Sequence, residues 1–351
     1  YKGIVKRMHN SLRPQNHMVI ECDFKQTKVQ SFAPLDWKSA TREACVDFVK
    51  NAGIVGLGGA GFPTYVKYMK PDGVDYVLIN AVECEPYITA DYRSVMDDAK
   101  DLVTGAKIMK KMAEAKTVYI CIKESHPDLI EKVKSVLTDA AGVEVRPVPD
   151  VYPMGWERVL VREVLHKEYG GLPAEAGAII GNASSAIAIA KAFEKGEAIT
   201  QKNLTVSGEC VKDPHNVCVP VGMPVSEIIE ACGGYTQDTV RLISGGPMMG
   251  KTIVNDMFVV DRAMNALTVL PAANDDAIAC LRCGKCSDHC PSGLQPVRIT
   301  AALKANDVDE MSKRGVMSCI ECGMCTYICP SHIDVTENVR KAKRIVMLKK
   351  K

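Results

Sequence analysis

Cys280-Leu-Arg-Cys283-Gly-Lys-Cys286-Ser-Asp-His-Cys290-Pro291 returns 39 residues later as Cys319-Ile-Glu-Cys322-Gly-Met-Cys325-Thr-Tyr-Ile-Cys329-Pro330. Each copy reads C-x2-C-x2-C-x3-C-P, the ligand run of a chain that carries two [4Fe–4S] clusters. Iron in a cubane needs four thiolates in tetrahedral directions, and three on one tight loop cannot reach round to the fourth. In paired sites of this kind the cysteine before the proline serves the other cluster. The expected sets are therefore Cys280, Cys283, Cys286 and Cys329 for one cluster, and Cys319, Cys322, Cys325 and Cys290 for the other. Zinc sites use cysteines in pairs and leave the third closely spaced thiol and the Cys-Pro without a role. With 15 cysteines in 351 residues, the pattern fits oxygen-sensitive cofactors in a reducing compartment better than a secreted disulfide framework. The remaining cysteines, Cys22, Cys45, Cys84, Cys121, Cys210, Cys218 and Cys232, sit mostly in apolar surroundings and read as buried structural thiols.

The bulk composition excludes several classes. A net charge of +2 offers no basic field for nucleic acid, and 47% hydrophobic with 25% charged residues is ordinary for a globular protein. No apolar run approaches the roughly 20 residues that span a bilayer. Any membrane association is thus expected through partner subunits. The chain opens at Tyr1, directly in a predicted strand, so an upstream segment is expected; no secretory leader is visible.

Upstream of the cysteines the texture is that of alternating helices and strands. Two short strands are expected near Gly3–Lys6 and Met18–Asp23. Thr41 caps a predicted amphipathic helix ending at Asn51 to Gly53. Asp75–Asn80, Thr117–Ile122 and Val143–Val148 are β-branched runs separated by helical stretches near 89–113 and 127–140. That rhythm predicts a mostly parallel sheet. Further helices are expected near 155–168 and 184–195. Between 200 and 270, short strands punctuated by Gly and Pro, with a helix from Pro224, predict a small α+β module. The cysteine-rich segment 275–340 is expected to be helical between and after its loops.

Gly56-Leu-Gly58-Gly59-Ala-Gly61-Phe62-Pro63 contains a literal G-x-G-x-x-G. A Rossmann fingerprint follows a strand and opens a helix. Here a helix precedes the loop and Pro63 follows it, so a Rossmann site is discounted. A Walker A loop is excluded because no Gly-Lys-Ser/Thr follows. The four glycines still let backbone N–H groups approach a phosphate or a flat ring.

Residues 56–68 resemble the flavin loop of the NADH-binding 51-kDa-type subunit of respiratory complex I, and Ile79-Asn80-Ala-Val-Glu83-Cys-Glu85-Pro86-Tyr87 resembles that family's second flavin and nicotinamide segment. The chain is still more similar to the C subunit family of the Rnf complex. That family shares both motifs, the later Tyr152-Pro-Met-Gly155 and Gly245-Gly-Pro-Met-Met-Gly250 segments, and the twin cysteine runs. The resemblance implies an α/β fold with a complex-I-like flavoprotein domain at 36–198. It also implies a soluble-ligand-binding β-grasp (SLBB) module at 199–272, a helical two-[4Fe–4S] ferredoxin-like domain at 273–351, and the end of a barrel-sandwich domain at 1–35. By resemblance, Gly56, Gly58, Gly59 and Gly61 cradle FMN, and Lys67 meets its phosphate. Asn80 and Glu83 hold its ribityl chain or ring edge, Asn182 and Ser185 stand on the phosphate side, and Gly155 completes the cofactor-binding set. Phe62, with Glu85 and Glu157 as the catalytic carboxylates, faces NADH, the substrate.

Three positions depart from the family pattern. Trp156 stands where relatives have glycine or an acid, Leu57 replaces an arginine of the complex I loop, and residues 261–267 lack the Lys-Thr-Thr or Lys-Gly-Thr that often follows Gly-Gly-Pro-Met-Met-Gly. A nicotinamide gives two electrons at once and a [4Fe–4S] cluster accepts one, and a flavin bridges the two. The expected function is electron transfer from NADH through FMN and two [4Fe–4S] clusters to other Rnf-type subunits or to a soluble partner such as ferredoxin. The expected location is the cytoplasm or the cytoplasmic face of the cell membrane. Alternatives are a soluble relative feeding an amino-acid reductase or a microcompartment cobalamin enzyme, and a flavin-free iron–sulfur relay. His289 reads as a local hydrogen-bonding residue, Met248 and Met249 as core filler, and the basic stretch from Arg340 to Lys351 as a solvated helix end.

Overall fold

The structure is a computed structural model that describes residues 4–8, 15–19, 31–138, 140–272 and 276–349. It divides into two compact units: residues 1–246 with 251–271, and residues 247–250 with 272–351. At the start, β1 (Ile4–Met8) pairs antiparallel with β2 (Gln15–Val19). The second strand ends before the expected Met18–Asp23 span does, and residues 20–30, with Cys22, lie outside the described residues.

The flavoprotein-like part begins with α1 (Arg42–Asn51), where the Thr41 hydroxyl accepts from the Ala44 N–H at 3.2 Å, as the cap predicts. Then follow β3 (Tyr76–Ala81), α2 (Ala90–Asp97), α3 (Ala99–Ala113), β4 (Thr117–Lys123), α4 (Pro127–Ser135), β5 (Val143–Val148), α5 (Glu157–Leu165), β6 (Ala178–Asn182) and α6 (Ala183–Lys195). The strands form a four-stranded sheet in the order β5-β4-β3-β6, every pair parallel. Parallel strands covered by helices bury both faces, which is why β3 and β4 read as near-continuous apolar runs. Val77, Ile79, Ile120 and Ile122 are fully shielded in a core shared with α1, α3 and α6, and Leu78 is fully buried as well. The helical stretch expected over 89–113 is two helices broken at Asp98, whose side chain pairs with Lys191 of α6 at 2.6 Å. The sequence reading did not pick out β6.

The β-grasp part consists of β7 (Gln201–Ser207), β8 (His215–Pro220), α7 (Val225–Ala231), β9 (Val240–Ser244), β10 (Lys251–Thr252) and β11 (Ala266–Pro271). Its five-stranded sheet runs β10-β9-β11-β7-β8, with β11 and β7 parallel and the other pairs antiparallel. It has a core of its own around Leu204, Val206, Ile228, Ile229, Leu267 and Val269.

In the second unit, α8 (Lys285–Asp288), α9 (Pro296–Lys304), α10 (Val308–Lys313), α11 (Met324–Tyr327) and α12 (Val335–Lys349) surround Ile299, Met311, Val316 and Val339. The repeat in sequence is a repeat in backbone. Arg282 and Glu321 both take φ of 56°, Gly284 and Gly323 take 81° and 79°, and each glycine opens a one-turn helix. Met248 and Met249 belong to this unit and are half-buried rather than core residues. The basic end of α12 is not simply solvated: Arg340 and Lys343 both pair with Glu321, at 3.1 and 3.0 Å, and Lys349 pairs with Asp309 at 2.8 Å.

Candidate functional site

The glycine loop closes on itself where Gly56 N donates to Phe62 O at 2.8 Å and Gly61 N to Gly56 O at 3.0 Å. It leads into a 3-10 turn, Thr64–Tyr68, which removes the helix N-terminus that a Rossmann phosphate site requires. The loop stands beside the carboxyl end of β6, on the side of a parallel sheet where α/β folds place ligands. Asn80 and Asn182 are register partners at the ends of β3 and β6. A Cβ on Gly58 would stand 2.8–3.2 Å from the Asn182 side chain, so any larger residue would have to displace Asn182. Gly59 has φ of +111° and nothing within 4 Å of where a Cβ would point, leaving backbone without a covering side chain, as a flavin cradle needs.

The other expected residues are placed by hydrogen bonds. The Asn80 amide donates to Gly155 O at 2.6 Å and accepts from Val82 N at 3.1 Å, and Gly155 N donates to the Cys84 thiol at 3.3 Å. This joins the end of β3 to the turn before α5. Lys67 donates to Ile180 O at 2.7 Å and lies 3.4 Å from Glu157, which begins α5 with its side chain 45% exposed. Trp156, at the N-cap of α5, is half-buried. Phe62 is exposed beside the loop. The Glu85 carboxylate lies over Gly246 of the β-grasp part, where a Cβ would be 2.3 Å away.

Two expected cofactor residues are engaged by the protein itself, Ser185 behind the glycine loop and Glu83 at the start of α2. Ser185 is 3% exposed, and its hydroxyl accepts from Leu57 N at 2.9 Å and donates to Val55 O at 3.3 Å. Glu83, at φ of 41°, spends both carboxylate oxygens on the first amides of α2, Asp91 N at 2.8 Å and Tyr92 N at 3.1 Å. Two further residues escaped the sequence reading. Asp91, 7% exposed, accepts from Asn182 and from Ser184, both at 2.6 Å, and Lys202, 4% exposed, donates to Leu57 O at 2.7 Å. The expected helix start near Asp91 carried no signal for such a contact with residues 182–184, which are distant in sequence.

Burial, with Asp91 alongside, pushes the Glu83 carboxyl up to about 7. A carboxyl raised in the folded state stabilises fully below its unfolded value near 4.5, and that contribution is lost as pH rises through about 7. Thermal unfolding of flavin-free protein should therefore show Tm falling from pH 5 to 8. E83Q, which does not titrate, should flatten the fall by at least about 2–4 °C; an unchanged slope would place the titrating group elsewhere.

In the second unit, Cys290, Cys319, Cys322 and Cys325 line one cleft. Burial raises the last three thiols, and Cys290, which belongs to the other run, adds to the rise in each by charge repulsion. Such mutual repulsion is what a cluster of ferric and ferrous ions relieves. Thr336 Oγ1 lies 3.3 Å from Cys325 Sγ, and Glu321 N donates to Cys319 Sγ at 3.3 Å. Around the other run, Ile278 N donates to Ser331 O at 3.1 Å and Ser331 Oγ to Ala279 O at 3.2 Å, which sets the approach to Cys280 beside the residues after Cys329. Cys280 and Cys283 are exposed while Cys322 is buried, so the two sites differ in access to water. Among the described residues no three or more His, Cys, Asp or Glu side chains close on a single-ion site. His289 is exposed, with its Nδ1 3.0 Å from Lys285 O. Of the scattered thiols, Cys45, Cys121, Cys210 and Cys232 are buried, Cys84 is half-buried and Cys218 is exposed.

Three domain families match in chain order: the Nuo51 FMN-binding domain over residues 49–191, the SLBB domain over 203–252 and a 4Fe-4S dicluster domain over 272–330. The chain is 34% identical to the C subunit of the Na(+)-translocating ferredoxin:NAD(+) oxidoreductase complex of Acetobacterium woodii, across 99% of this chain and 81% of that one. It is 36% identical to the C subunit of the proton-translocating ferredoxin:NAD(+) oxidoreductase complex of Clostridium ljungdahlii, across 80% of this chain. It is 37% identical to the C subunit of an ion-translocating oxidoreductase complex of Rhodobacter capsulatus, again across 80% of this chain. The match spans 63% and 56% of the length of these last two relatives. Among solved structures, an NAD+-reducing [NiFe]-hydrogenase in the H2-reduced state aligns with a TM-score of 0.59 over 91% of this chain and 64% of that one, at 15% identity. That likeness speaks for the fold. The complex-I-like flavoprotein fold, the SLBB module, the dicluster domain and the cofactors FMN and [4Fe–4S] that the sequence implied are thus supported by the matched families.

Proposed function

The chain belongs to the C subunit family of ion-translocating oxidoreductase complexes, and from this we propose that it takes electrons from NADH at an FMN in the glycine cradle and passes them through two [4Fe–4S] clusters to a partner. The observation that carries the reading is the uncovered backbone at Gly59, set between the braced Leu57 and the β3 and β6 ends. Bound FMN would supply the conversion between a two-electron donor and one-electron acceptors. The chain's own residues do the rest. Gly58 and Gly59 present N–H groups, Gly56 and Gly61 close the loop through their own amides, and Asn182 holds the loop's floor. Asn80 and Gly155 fix the neighbouring wall, while Lys67 places a cation close to the cradle, balanced by Glu157. Phe62, Glu85 and Glu157 are assigned to the dinucleotide side.

The partners proposed are other subunits of an Rnf-type complex or a soluble carrier such as ferredoxin. No helix among the described residues is long and apolar enough to cross a membrane, and attachment at its cytoplasmic face would come through partner subunits. Anaerobic protein should hold one FMN with about eight iron and eight sulfide, and stopped-flow mixing with NADH should bleach the flavin. E157Q should then raise KM for NADH or slow bleaching roughly tenfold or more at constant FMN content, because a lost charge-assisted hydrogen bond costs about 1.5–3 kcal/mol. Full clusters and flavin with no bleaching would make the donor something other than NADH.

A further inference from the structure

We infer that the β-grasp module is part of the flavin site, and that Lys202 of β7 is the residue through which it holds the glycine loop in its binding shape. The inference rests on the flavin reading above for its ligand, and on the following contacts for its geometry. Lys202 is 4% exposed, and its ammonium donates to Leu57 O at 2.7 Å. Leu57 N is taken by Ser185 at 2.9 Å. Both polar groups of Leu57 are therefore held, one from α6 and one from the β-grasp sheet, and the peptides on either side of it have no freedom to rotate. Of the two, the Leu57–Gly58 peptide carries the Gly58 N–H that the cradle uses.

A buried ammonium is costly unless hydrogen-bonded and balanced by charge. Burial draws the Lys202 pKa down, while Asp91, Asp261 and Glu83 oppose that pull. An apolar residue would fill the space at less cost, so the retained charge points to a task. Its donation to Leu57 O polarises the Leu57–Gly58 peptide and makes the Gly58 N–H a stronger donor toward an anionic or electron-rich ligand.

Other β-grasp contacts fall on the same loops. Arg262 donates to Gly53 O at 2.9 Å, just before the glycine loop. Thr205 accepts from Thr89 N at 3.0 Å, and Ser207 donates to Tyr87 O at 2.6 Å, next to Glu85. Tyr87 itself has φ of 66°, a left-handed backbone that a non-glycine residue keeps only when its surroundings impose it. The module thus braces both the flavin loop and the loop assigned to the dinucleotide.

The test compares full-length wild type, K202M, K202R and N203A; Asn203 is the next residue of the same strand and bonds Ser94 of α2 instead of the loop. FMN affinity is read by quenching of flavin fluorescence, and loop order by hydrogen exchange of flavin-free protein. K202M should weaken FMN at least tenfold and speed exchange of the amides over 56–61, at unchanged iron content. K202R should recover part of both, and N203A should leave both unchanged. Should K202M not fold, K202Q carries the same two measurements. Wild-type affinity in K202M, equal weakening in N203A, or faster exchange spread across the whole β-grasp sheet would overturn the inference. Wild type that binds no FMN would sink the flavin reading instead, with loop exchange in K202M still deciding the brace.

Discussion

Replacing Cys290 by alanine is expected to abolish the cluster held by Cys319, Cys322 and Cys325 and to leave the one at Cys280, Cys283 and Cys286 in place. Cys290 lies in the first cysteine run, yet it lines the cleft of the second and raises its three thiols. Three thiolates leave one iron of a cubane without a protein ligand, and alanine offers nothing in return. Iron should fall from about eight to about four per chain, with one of two reduced-cluster EPR signals lost. The surviving signal should be the one that C283A removes. Loss of the same signal in C290A and C283A would show that each run ligates its own cluster.

Gly59→Val should empty the flavin site while both clusters stay loaded. Valine at φ of +111° meets a backbone region that β-branched residues avoid, at a cost of roughly 1–2 kcal/mol or more. Its side chain also enters the open space above the loop, so binding loses the ligand's room as well as the loop's shape. FMN content should drop below about a tenth of wild type, which corresponds to a loss of at least about 1.4 kcal/mol in affinity. Gly73→Val separates the two causes. Gly73 has φ of +75° and equally open surroundings, but lies in the turn before β3. It should keep its flavin despite similar strain. Full flavin in G59V, or equal loss in G73V, would move the cradle away from Gly59.

Local spacing made a large part of this protein legible. Twin C-x2-C-x2-C-x3-C-P runs specify cluster ligands because the geometry of three thiolates on one loop depends on residues within seven positions, from Cys280 to Cys286. Thr41 announced α1 because a cap bonds three residues ahead, and β3, β4 and β5 stood out as β-branched runs. Strand β6 did not: Ala178-Ile-Ile-Gly-Asn182 is too short and too mixed to separate from a turn, and becomes a strand by pairing with β3. The roles of the site residues divide the same way. Gly58 and Gly59 were marked by the absence of a side chain, which is a property of the residue itself. Ser185 and Lys202 were not readable in their actual tasks, because each task is a bond across the fold. Leu57 meets Ser185 from 128 residues away and Lys202 from 145. The same hydroxyl or ammonium could have faced a phosphate, the solvent or a carbonyl, and only the packing of β7 and α6 against the glycine loop chose the carbonyl and amide of Leu57. Sequence alone therefore determined the cluster chemistry and the need for bare backbone in the cradle. Tertiary structure decided which polar groups remain available to a ligand, because hydrogen bonds buried between distant segments consume donors and acceptors that no local pattern can assign.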